Sequence, residues 1–406
     1  MAQTNGGTDI LIVGGGPAGM MAGLLFARAG LRTTVLEKHA DFLRDFRGDT
    51  VHPSTLDLFD ELGLLDKLLH RPHDAVARVS VPFGDRLYHV ADFGHLPVRA
   101  KFIAMMPQWE FLDFVADAAR SYPHFTLRMN CEAVATLTIA GRIAGIATSR
   151  GEEIRARLVI AADGRRSILR AAAALPLRDL GAPMDVFWFR LAKPRTPDNR
   201  TTGFFAPGRV IALIDRGEYW QCAYLFPKGA AAAVRAAGLP AFRAEVARAA
   251  PLLAPLVGQL VDWDGIKLLS VALDRLTRWH RPGLLAIGDA AHAMSPIGGV
   301  GINLAIQDAV AAANILAGAM AAGDDPDPLL ARVQGRRMLA TRIVQRLQRL
   351  AHDRIITPLL SARPAAAAPP LALRLLQRWP ILQRIPARMI GLGIRREHIR
   401  SPTADF

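Results

Sequence analysis

A glycine-rich turn close to the first residue constrains the fold of this chain more than any other feature. The apolar run at residues 9–13 is typical of a buried strand, and it leads directly into the sequence GGGPAG. In such a turn Gly14 permits a tight bend, Gly16 lets a pyrophosphate approach the main chain, and Gly19 allows a helix to pack closely on the strand. The pattern therefore predicts a strand, a phosphate-binding turn and a helix.

The next residues complete a strand, helix, strand unit. Residues 20–29 continue the helical pattern, Gly30 is placed to end it, and residues 32–37 form a second strand-like run. Glu37, the acid at the end of that strand, is placed to bind a ribose 2′-hydroxyl. A lone GxGxxG is weak, but the whole unit predicts a dinucleotide site that fits either NAD or FAD. Besides the glycines, its expected contacts are Pro17, Ala18, Glu37 and Lys38.

Two later strand-like runs each end in a glycine and an acid. Asp163 and Gly164 follow one buried run, and Gly288 and Asp289 follow another. Ligands of open α/β sheets bind at the carboxyl ends of the strands, so both pairs are candidate contacts. Either pair by itself is also compatible with an ordinary turn.

The loop after Asp289 is rich in glycine and opens a long helical pattern. Its sequence SPIGGVGIN lets main chain approach a bound molecule closely, and free N–H groups at the start of a helix attract an electron-rich group. Such a loop suits a large planar cofactor. The expected contacts here are Pro296, Gly298, Gly301, Ile302 and Asn303.

Most of the aromatic residues lie in strand-like runs in the middle of the chain. Alternation places Trp220, Cys222 and Tyr224 on one face of a strand, and Gln221 and Ala223 on the other. One face is expected to pack on a helical layer and the other to line a substrate cavity. The sequence leaves open which face does which.

Charge and cysteine content exclude several classes of function. A formal net charge of +14 would suit nucleic acid or an anionic membrane. The excess is almost all arginine, and no basic stripe is interleaved with aromatics, so nucleic acid is not expected as a partner. Cys131 and Cys222 have no disulfide-framework or zinc-like spacing, so we expect no metal site and a reducing, cytoplasmic location. Residues 1–8 show no secretory signal pattern.

Two apolar regions towards the C-terminus are predicted to be helical. Residues 304–322 include Gln307, Asp308 and Asn314, which favours a buried helix over a membrane span. Residues 371–394 mix apolar residues with arginines between prolines. We expect this second region to cap the body, because arginine stems often cover apolar surface. An amphipathic segment on a membrane surface is the alternative.

In combination, these motifs resemble those of the class A flavoprotein monooxygenases, the para-hydroxybenzoate hydroxylase family with relatives among ubiquinone-pathway and polyketide-tailoring hydroxylases. The resemblance covers nearly the whole chain. It implies that the GGGPAG turn and Glu37 hold adenosine and pyrophosphate, that Asp163 contacts the pyrophosphates of FAD and NAD(P)H, and that Asp289 binds the flavin ribityl chain. It also implies flavin contacts for Arg47 and Gln108, although an isolated loop arginine is more often simply solvated.

The resemblance further implies the chemistry. NAD(P)H reduces FAD, O₂ adds to the flavin as a C4a-hydroperoxide, and the terminal oxygen passes to an aromatic, phenolic or quinonoid small molecule. Pro296 is expected to shape the pocket where the peroxide forms, and the main-chain N–H groups of residues 301–303 to face the pyrimidine edge of the flavin. We expect no acid/base pair or nucleophile, and we interpret His292 and His52 as structural.

Other flavoprotein classes fit less well. The W-x-W-x-I-P pattern of flavin-dependent halogenases is absent, and the lack of paired cysteines excludes a disulfide-type flavin reductase. Two alternatives stay open on the sequence alone: a polyprenyl-phenol hydroxylase at the membrane surface, and a non-catalytic flavoprotein that acts as a binding module. The protein is expected to be a monomer or a homodimer.

The predicted fold class is α/β. A Rossmann-like FAD-binding domain is interleaved with an antiparallel-sheet substrate domain and followed by C-terminal helices. The expected ranges are 1–78, 106–180 and 276–322 for the FAD-binding domain, 79–105 and 181–275 for the substrate domain, and 323–406 for the C-terminal helical region.

Overall fold

The computed structural model describes residues 7–43, 49–83, 86–193, 202–206, 208–361 and 369–404. The strands in this part of the chain are β1 (Thr8–Val13), β2 (Thr33–Leu36), β3 (Thr50–Val51), β4 (Asp74–Val76), β5 (Arg78–Phe83), β6 (Arg86–Asp92), β7 (Ile103–Met105), β8 (Phe125–Arg128), β9 (Ala133–Ile139), β10 (Arg142–Thr148), β11 (Glu153–Ala161), β12 (Leu177–Asp179), β13 (Met184–Ala192), β14 (Thr202–Ala206), β15 (Arg209–Asp215), β16 (Tyr219–Pro227), β17 (Lys267–Leu269), β18 (Asp274–Leu276), β19 (His280–Arg281) and β20 (Leu284–Ala286). The α-helices are α1 (Pro17–Arg28), α2 (Pro53–Glu61), α3 (Leu65–Leu69), α4 (Gln108–Arg120), α5 (Ile168–Ala172), α6 (Ala231–Ala236), α7 (Leu239–Ala249), α8 (Gly301–Ala321), α9 (Leu330–Ala351), α10 (Thr357–Leu360), α11 (Leu371–Arg378) and α12 (Arg384–Gly391).

The first sheet is built around β1, in which Ile10, Leu11 and Ile12 are fully buried. The strand order is β19-β20-β11-β1-β2-β8, and β10 and β9 continue antiparallel from β11. The neighbours β2, β1, β11 and β20 run parallel to one another. Their carboxyl ends therefore meet along one edge of the sheet, and each of these strands is followed by one of the sequence motifs.

Helices α1 and α8 contact each other and cover apolar strands, as a parallel sheet requires. Small residues allow the close approach: a Cβ added at Gly23 of α1 would lie only 2.8 Å from the Val35 side chain of β2. The helical segment Ile297–Ala321 is long and apolar enough to cross a membrane by length and composition, but 67% of its most apolar window is buried inside the protein. It packs as a core helix, in agreement with the polar residues in its sequence.

The second sheet is antiparallel and has the order β14-β15-β16-β13-β17. On one face Trp220, Cys222 and Tyr224 share a hydrophobic core with Phe242 of α7. On the other face, Gln221 hydrogen-bonds across to a residue that precedes β3. The aromatic face is thus the one that packs on the helical layer, which answers the question that alternation alone left open.

The strands of residues 79–105 do not join the second sheet. β5 and β6 form a separate hairpin, whereas β7 pairs with β3 and β4 in a small three-stranded sheet. The β3 segment also contacts α8, and the hairpin contacts the C-terminal helices. This part of the expected substrate domain therefore lies between the first sheet and the C-terminal region.

The C-terminal region packs on the body. α9 continues into a π-helical turn, His352–Ile356, before α10. Farther along, α12 buries Ala387 and Gly391. A Cβ added at Gly391 would lie 2.7 Å from the side chain of Leu96, so α12 sits directly on the segment that follows β6. The inner face of this region is a cap, as the sequence favoured.

Candidate active site

The GGGPAG turn has the geometry expected of a phosphate-binding turn. Gly14 has φ 108°, and a Cβ there would lie 2.3 Å from the Ala162 carbonyl oxygen. A Cβ at Gly19 would lie 1.9 Å from the Gly14 carbonyl oxygen, whereas one at Gly16 would meet no atom within 4 Å. Two glycines therefore serve close packing and Gly16 leaves an open approach. The N-terminus of α1 has no side-chain cap, which suits a bound anion.

Glu37 is held against this turn at the end of β2. The Gly15 N–H donates to Glu37 Oε2 at 3.0 Å, and the His39 N–H donates to Glu37 Oε1 at 3.0 Å. The Lys38 side chain is exposed to solvent. The carboxylate is thus fixed in position beside the phosphate-binding turn, as the dinucleotide motif predicts.

The Asp163 and Gly164 pair follows β11 at the same edge. Asp163 Oδ2 accepts a hydrogen bond from the Leu169 N–H at 3.3 Å. Its Oδ1 is buried and has no hydrogen-bond partner within the described chain. Burial raises the pKa of the Asp163 carboxyl, against hydrogen bonds from Ser167 and the main chain. Gly164 has φ 84°, and a Cβ there would face open space.

The Gly288 and Asp289 pair joins the other two motifs. A Cβ at Gly288 would lie 3.0 Å from Cβ of Ala18 and 3.2 Å from Cβ of Ala305, so β20, α1 and α8 converge at this glycine. Arg165 Nε donates to Asp289 Oδ2 at 3.1 Å. Arg165 Nη1 is buried and has no partner among the residues described. The three motifs, which lie far apart in sequence, therefore lie side by side at one edge of the first sheet.

The glycine loop before α8 is tied to β3 and α2. Thr50 Oγ1 donates to the Gly299 carbonyl oxygen at 2.8 Å. The Asn303 carboxamide oxygen accepts from the His52 N–H and the Thr55 hydroxyl, both at 2.8 Å, while its nitrogen donates to the Thr50 and Gly299 carbonyl oxygens. The Asn303 side chain thus holds the loop in place, and only its main chain is left for a ligand.

The first N–H groups of α8 remain open to a ligand. The first intrahelical bond runs from the Leu304 N–H to the Val300 carbonyl oxygen, so the N–H groups of Gly301, Ile302 and Asn303 precede it, and no side chain caps the helix. Gly298, with φ 78°, is exposed, and Pro296 and Ile302 are half-buried. The loop has the shape and the free donors that the sequence pattern predicts.

Two side chains from the end of α9 hold this loop from behind, and the sequence reasoning missed both. The Ser295 N–H donates to Gln348 Oε1 at 3.1 Å, and Gln348 Nε2 donates to the carbonyl oxygens of Ser295 and Ile297 at 2.9 and 3.1 Å. His352 Nε2 lies 2.9 Å from Ser295 Oγ. The π-helical turn begins at His352, and such turns are frequent at functional sites.

A second missed group links the second sheet to the segment that precedes β3, near the same loop. Asp49 accepts hydrogen bonds from Arg216 and from Gln221 Nε2, and Arg216 Nε donates to Gln221 Oε1 at 3.1 Å. The main chain of Gln108, at the start of α4, also donates to Asp49. Burial raises the pKa of Asp49, opposed by the Arg216 charge. Arg47, an expected flavin contact, lies outside the described residues.

The two histidines near the site are structural. His292 Nε2 donates to Asp308 Oδ2 at 2.6 Å in a fully buried cluster that includes Arg337. His52 Nδ1 lies 2.8 Å from the Ile390 carbonyl oxygen, which only accepts, so this nitrogen carries the proton. Burial lowers the pKa of His52 to about 4, so His52 is neutral at pH 7.

One group of metal-ligand side chains comes together within the described chain: Asp57, Glu61 and His398. Its members already have partners. His398 Nδ1 contacts Glu61, and Arg396 Nη1 donates to Asp57 at 2.8 Å. These contacts connect α2 to the C-terminal segment and explain the cluster without an ion.

The GGGPAG turn, the Asp163 and Gly288 pairs and the glycine loop lie along one edge of the first sheet, and comparison with known proteins shows the family to which the chain belongs. The profile described as "FAD binding domain" matches residues 7–347. The chain belongs to this family. The predicted cofactor, FAD, is confirmed, and NAD(P)H is the co-substrate typical of the family.

Relatives with known activities place this FAD-binding chain among oxygenases. It is 31% identical over 401 residues to 6-methylpretetramide 4-monooxygenase of Streptomyces rimosus, which covers 97% of this chain and 94% of that protein. It is 27% identical over 358 residues to 3-demethoxyubiquinol 3-hydroxylase of Escherichia coli, covering 84% and 88%. The chain is therefore an FAD-dependent aromatic monooxygenase, and neither alternative, a polyprenyl-phenol hydroxylase at the membrane surface or a non-catalytic flavoprotein, is favoured.

Solved structures confirm the predicted fold class. OxyS anhydrotetracycline hydroxylase from Streptomyces rimosus gives a TM-score of 0.73 at 22% identity, over 95% of this chain and 75% of that chain. The tetrameric form of 2-methyl-3-hydroxypyridine-5-carboxylic acid oxygenase gives a TM-score of 0.71 at 20% identity, over 98% and 100%. These likenesses show the shared fold.

Proposed function

We propose that this monooxygenase hydroxylates a phenolic or quinonoid small molecule at a site formed between the glycine loop and the second sheet. The observation that carries the proposal is that the GGGPAG turn, the Asp163 and Gly164 pair and the Gly288 and Asp289 pair meet at one edge of the first sheet. The glycine loop contacts Thr50, and the neighbouring Asp49 hydrogen-bonds to Gln221 of the second sheet.

In this proposal each motif holds one part of FAD. The N-terminus of α1 and Gly16 take the pyrophosphate, Glu37 takes the adenosine ribose, and Asp289 takes the ribityl hydroxyls. The unpaired Asp163 Oδ1 and Arg165 Nη1 support this assignment, because buried polar groups without partners are rare and a polar cofactor would satisfy them.

The glycine loop and the start of α8 serve the isoalloxazine ring. FAD, once reduced by NAD(P)H, supplies the chemistry of oxygen activation. The uncapped N–H groups of residues 301–303 would stabilise negative charge on the reduced ring, since a helix N-terminus favours an anion. Pro296 would close the ring-side pocket against water. The family resemblance also assigns flavin contacts to Gln108 and Arg47.

The substrate would lie beside the face of the second sheet that bears Gln221. This face combines apolar residues with the hydrogen-bonding group of Asp49, Arg216 and Gln221, which suits a planar molecule with hydroxyl or carbonyl groups. The compound named for the relative, 6-methylpretetramide, is the first candidate to test. We propose a cytoplasmic monomer or homodimer without a nucleic-acid partner.

A turnover assay tests this function. Purified protein carrying FAD should oxidise NADPH or NADH faster when a phenolic or quinonoid substrate is added, and ¹⁸O from ¹⁸O₂ should appear in the product. A panel should include 6-methylpretetramide, simple phenols and a short-chain prenylated phenol. NAD(P)H oxidation that no aromatic compound accelerates would contradict the proposed substrate class, and product without ¹⁸O would contradict hydroxylation.

A further inference from the structure

The C-terminal arm, which we define as residues 371–391, has two different faces. It comprises α11, a 3₁₀ turn at Pro380–Gln383 and α12. The inner face packs on the β5–β6 hairpin and the segment after it, where Ala387 and Gly391 are buried. This contact accounts for only part of the apolar content of the arm.

The outer face of the arm carries large apolar side chains in contact with solvent. They are between 40% and 66% exposed: Leu371, Trp379, Ile381, Ile385 and Met389. Burial of such side chains in an apolar medium is favourable, and several large exposed apolar side chains within one short segment indicate an interaction surface. A second exposed apolar group lies on α9, around Leu347 and Leu350.

Arginines are interspersed with these apolar side chains. Arg374, Arg378, Arg384 and Arg388 are all exposed, and none has an ion-pair partner among the residues described. The sequence from 371 to 394 contains no Asp or Glu. On α12, the Arg384 and Arg388 stripe runs directly beside the Ile385 and Met389 stripe, because residues four apart share one side of a helix.

We propose that the outer face of the C-terminal arm docks on an anionic lipid bilayer. Arginines would contact the headgroups while Trp379, Ile381 and Ile385 enter the boundary between headgroups and acyl chains. A second copy of the chain is a poorer occupant. A symmetric dimer sets the same patch against itself, so it would bring the unpaired arginines of both copies together.

The proposed contact is peripheral and independent of the identity of the substrate. The arm has two short helices, and neither is long enough to cross a bilayer. Attraction between exposed arginines and lipid headgroups is screened by salt. Docking should therefore be reversible and weaker at high ionic strength, and it leaves the inner face of the arm packed on the body.

Vesicle co-sedimentation of the full-length, FAD-loaded protein tests the docking. We expect at least about tenfold more protein bound to vesicles of phosphatidylglycerol and phosphatidylcholine than to phosphatidylcholine alone, with binding lost between about 0.1 and 0.5 M NaCl. The double variants Trp379→Ser/Ile381→Ser and Arg384→Gln/Arg388→Gln should each reduce binding at least about fivefold. Their matched controls, Val261→Ser/Leu268→Ser and Arg155→Gln/Arg400→Gln, remove exposed residues outside the arm and should bind like the unaltered protein.

The fluorescence of Trp379 reports directly whether this side chain enters the bilayer. Brominated anionic lipids should quench protein fluorescence, and Trp379→Phe should abolish that quenching while sedimentation remains. No binding to anionic vesicles, equal binding to both vesicle types, or binding unchanged by the arm variants would overturn the proposal. Loss of a dimer in the arm variants, with no vesicle binding by the unaltered protein, would assign the face to a second copy instead.

Discussion

His52 contacts both the predicted flavin loop and the C-terminal arm. Its main-chain N–H donates to Asn303 at the start of α8, and its ring nitrogen contacts the Ile390 carbonyl oxygen in α12. The ring is fully buried and has no carboxylate partner, so charging it requires desolvation of an imidazolium. His52 therefore makes the folded state sensitive to acid.

We expect the free energy of unfolding to decrease as the pH is lowered, because of His52. Its folded-state pKa of about 4 lies below the ordinary histidine pKa of 6.5, so as the pH falls the unfolded chain takes up the proton first. The stabilisation is present above about pH 6.5 and is lost towards pH 4, by ~3 kcal/mol in total. Urea unfolding at pH 7 and pH 4.5 should show a smaller difference for His52→Gln than for the unaltered protein. The exposed-site variant His124→Gln should leave the difference unchanged.

Asp289 offers a residue-level test of the cofactor assignment. If its carboxylate binds the ribityl hydroxyls, Asp289→Ala should weaken FAD retention by about 1–3 kcal/mol, since those hydroxyls lose a buried partner. FAD affinity is measured by flavin fluorescence during dilution or dialysis. Asp264→Ala, on an exposed turn, serves as the control for loss of a charge. Retention equal to that of the unaltered protein would remove Asp289 from the site.

At the scale of elements, α9 carries two glutamines whose side chains bind main-chain groups, and of these Gln348 contacts the glycine loop. Gln348, near its C-terminal end, binds Ser295 and Ile297 of the glycine loop. Gln334, near the N-terminal end of α9, accepts from the Trp279 N–H and donates to the Thr277 carbonyl oxygen, and both of these groups precede β20. Each side chain accepts from one main-chain N–H and donates to a carbonyl oxygen, so Gln334→Leu controls for the loss of such an amide away from the loop.

We expect Gln348→Leu to uncouple NAD(P)H oxidation from hydroxylation. Without the Gln348 hydrogen bonds the loop that carries Pro296 shifts, and a small misplacement at a reacting centre has a large effect on rate. The ratio of H₂O₂ to hydroxylated product should rise at least about twofold. Gln334→Leu should lower the free energy of unfolding by about 1 kcal/mol, because its hydrogen bonds are partly exposed, and should leave that ratio unchanged. Equal ratios in the two variants would mean that Gln348 acts only on stability.

Local motifs could be predicted from the sequence, whereas contacts between distant segments could not. Gly14, Gly19 and the start of α8 have requirements that lie within a few residues, and the structure places them as the patterns predict. The hold of Gln348 on Ser295 spans 53 residues and leaves no local pattern. The pairing of Gln221 with Asp49 likewise depends on how two sheets meet, although a glutamine within an aromatic strand was a usable signal.

Across the whole molecule, Asp308 joins the site to the rest of the fold. Its carboxylate accepts from the Gly288 N–H, from His292 and from Arg337, and Arg337 in turn contacts the Glu397 carboxylate. Burial opposes the charge of Asp308, but the charges and hydrogen bonds of His292 and Arg337 outweigh burial and lower its pKa. The β20 turn, α8, α9 and the C-terminal segment therefore share one ionic cluster.

Neighbouring arginines of α9 allow the cost of breaking this cluster to be measured. Arg337 is 1% exposed and pairs with Asp308 at 2.9 Å, whereas Arg336 is 37% exposed and pairs with Glu397 at 2.7 Å. Arg337→Met should destabilise the protein by about 3–5 kcal/mol, because it removes the arginine charge from the fully buried Asp308 carboxylate. Arg336→Met should cost at most ~1 kcal/mol, since the Arg336 guanidinium is exposed to water and the Glu397 carboxylate keeps its contact with Arg337. Asp308 also accepts a hydrogen bond from the Gly288 N–H. We therefore expect the Arg337→Met variant to release FAD in the same urea transition in which it unfolds. FAD release well before unfolding would mean that the cluster supports the site locally and not the whole molecule.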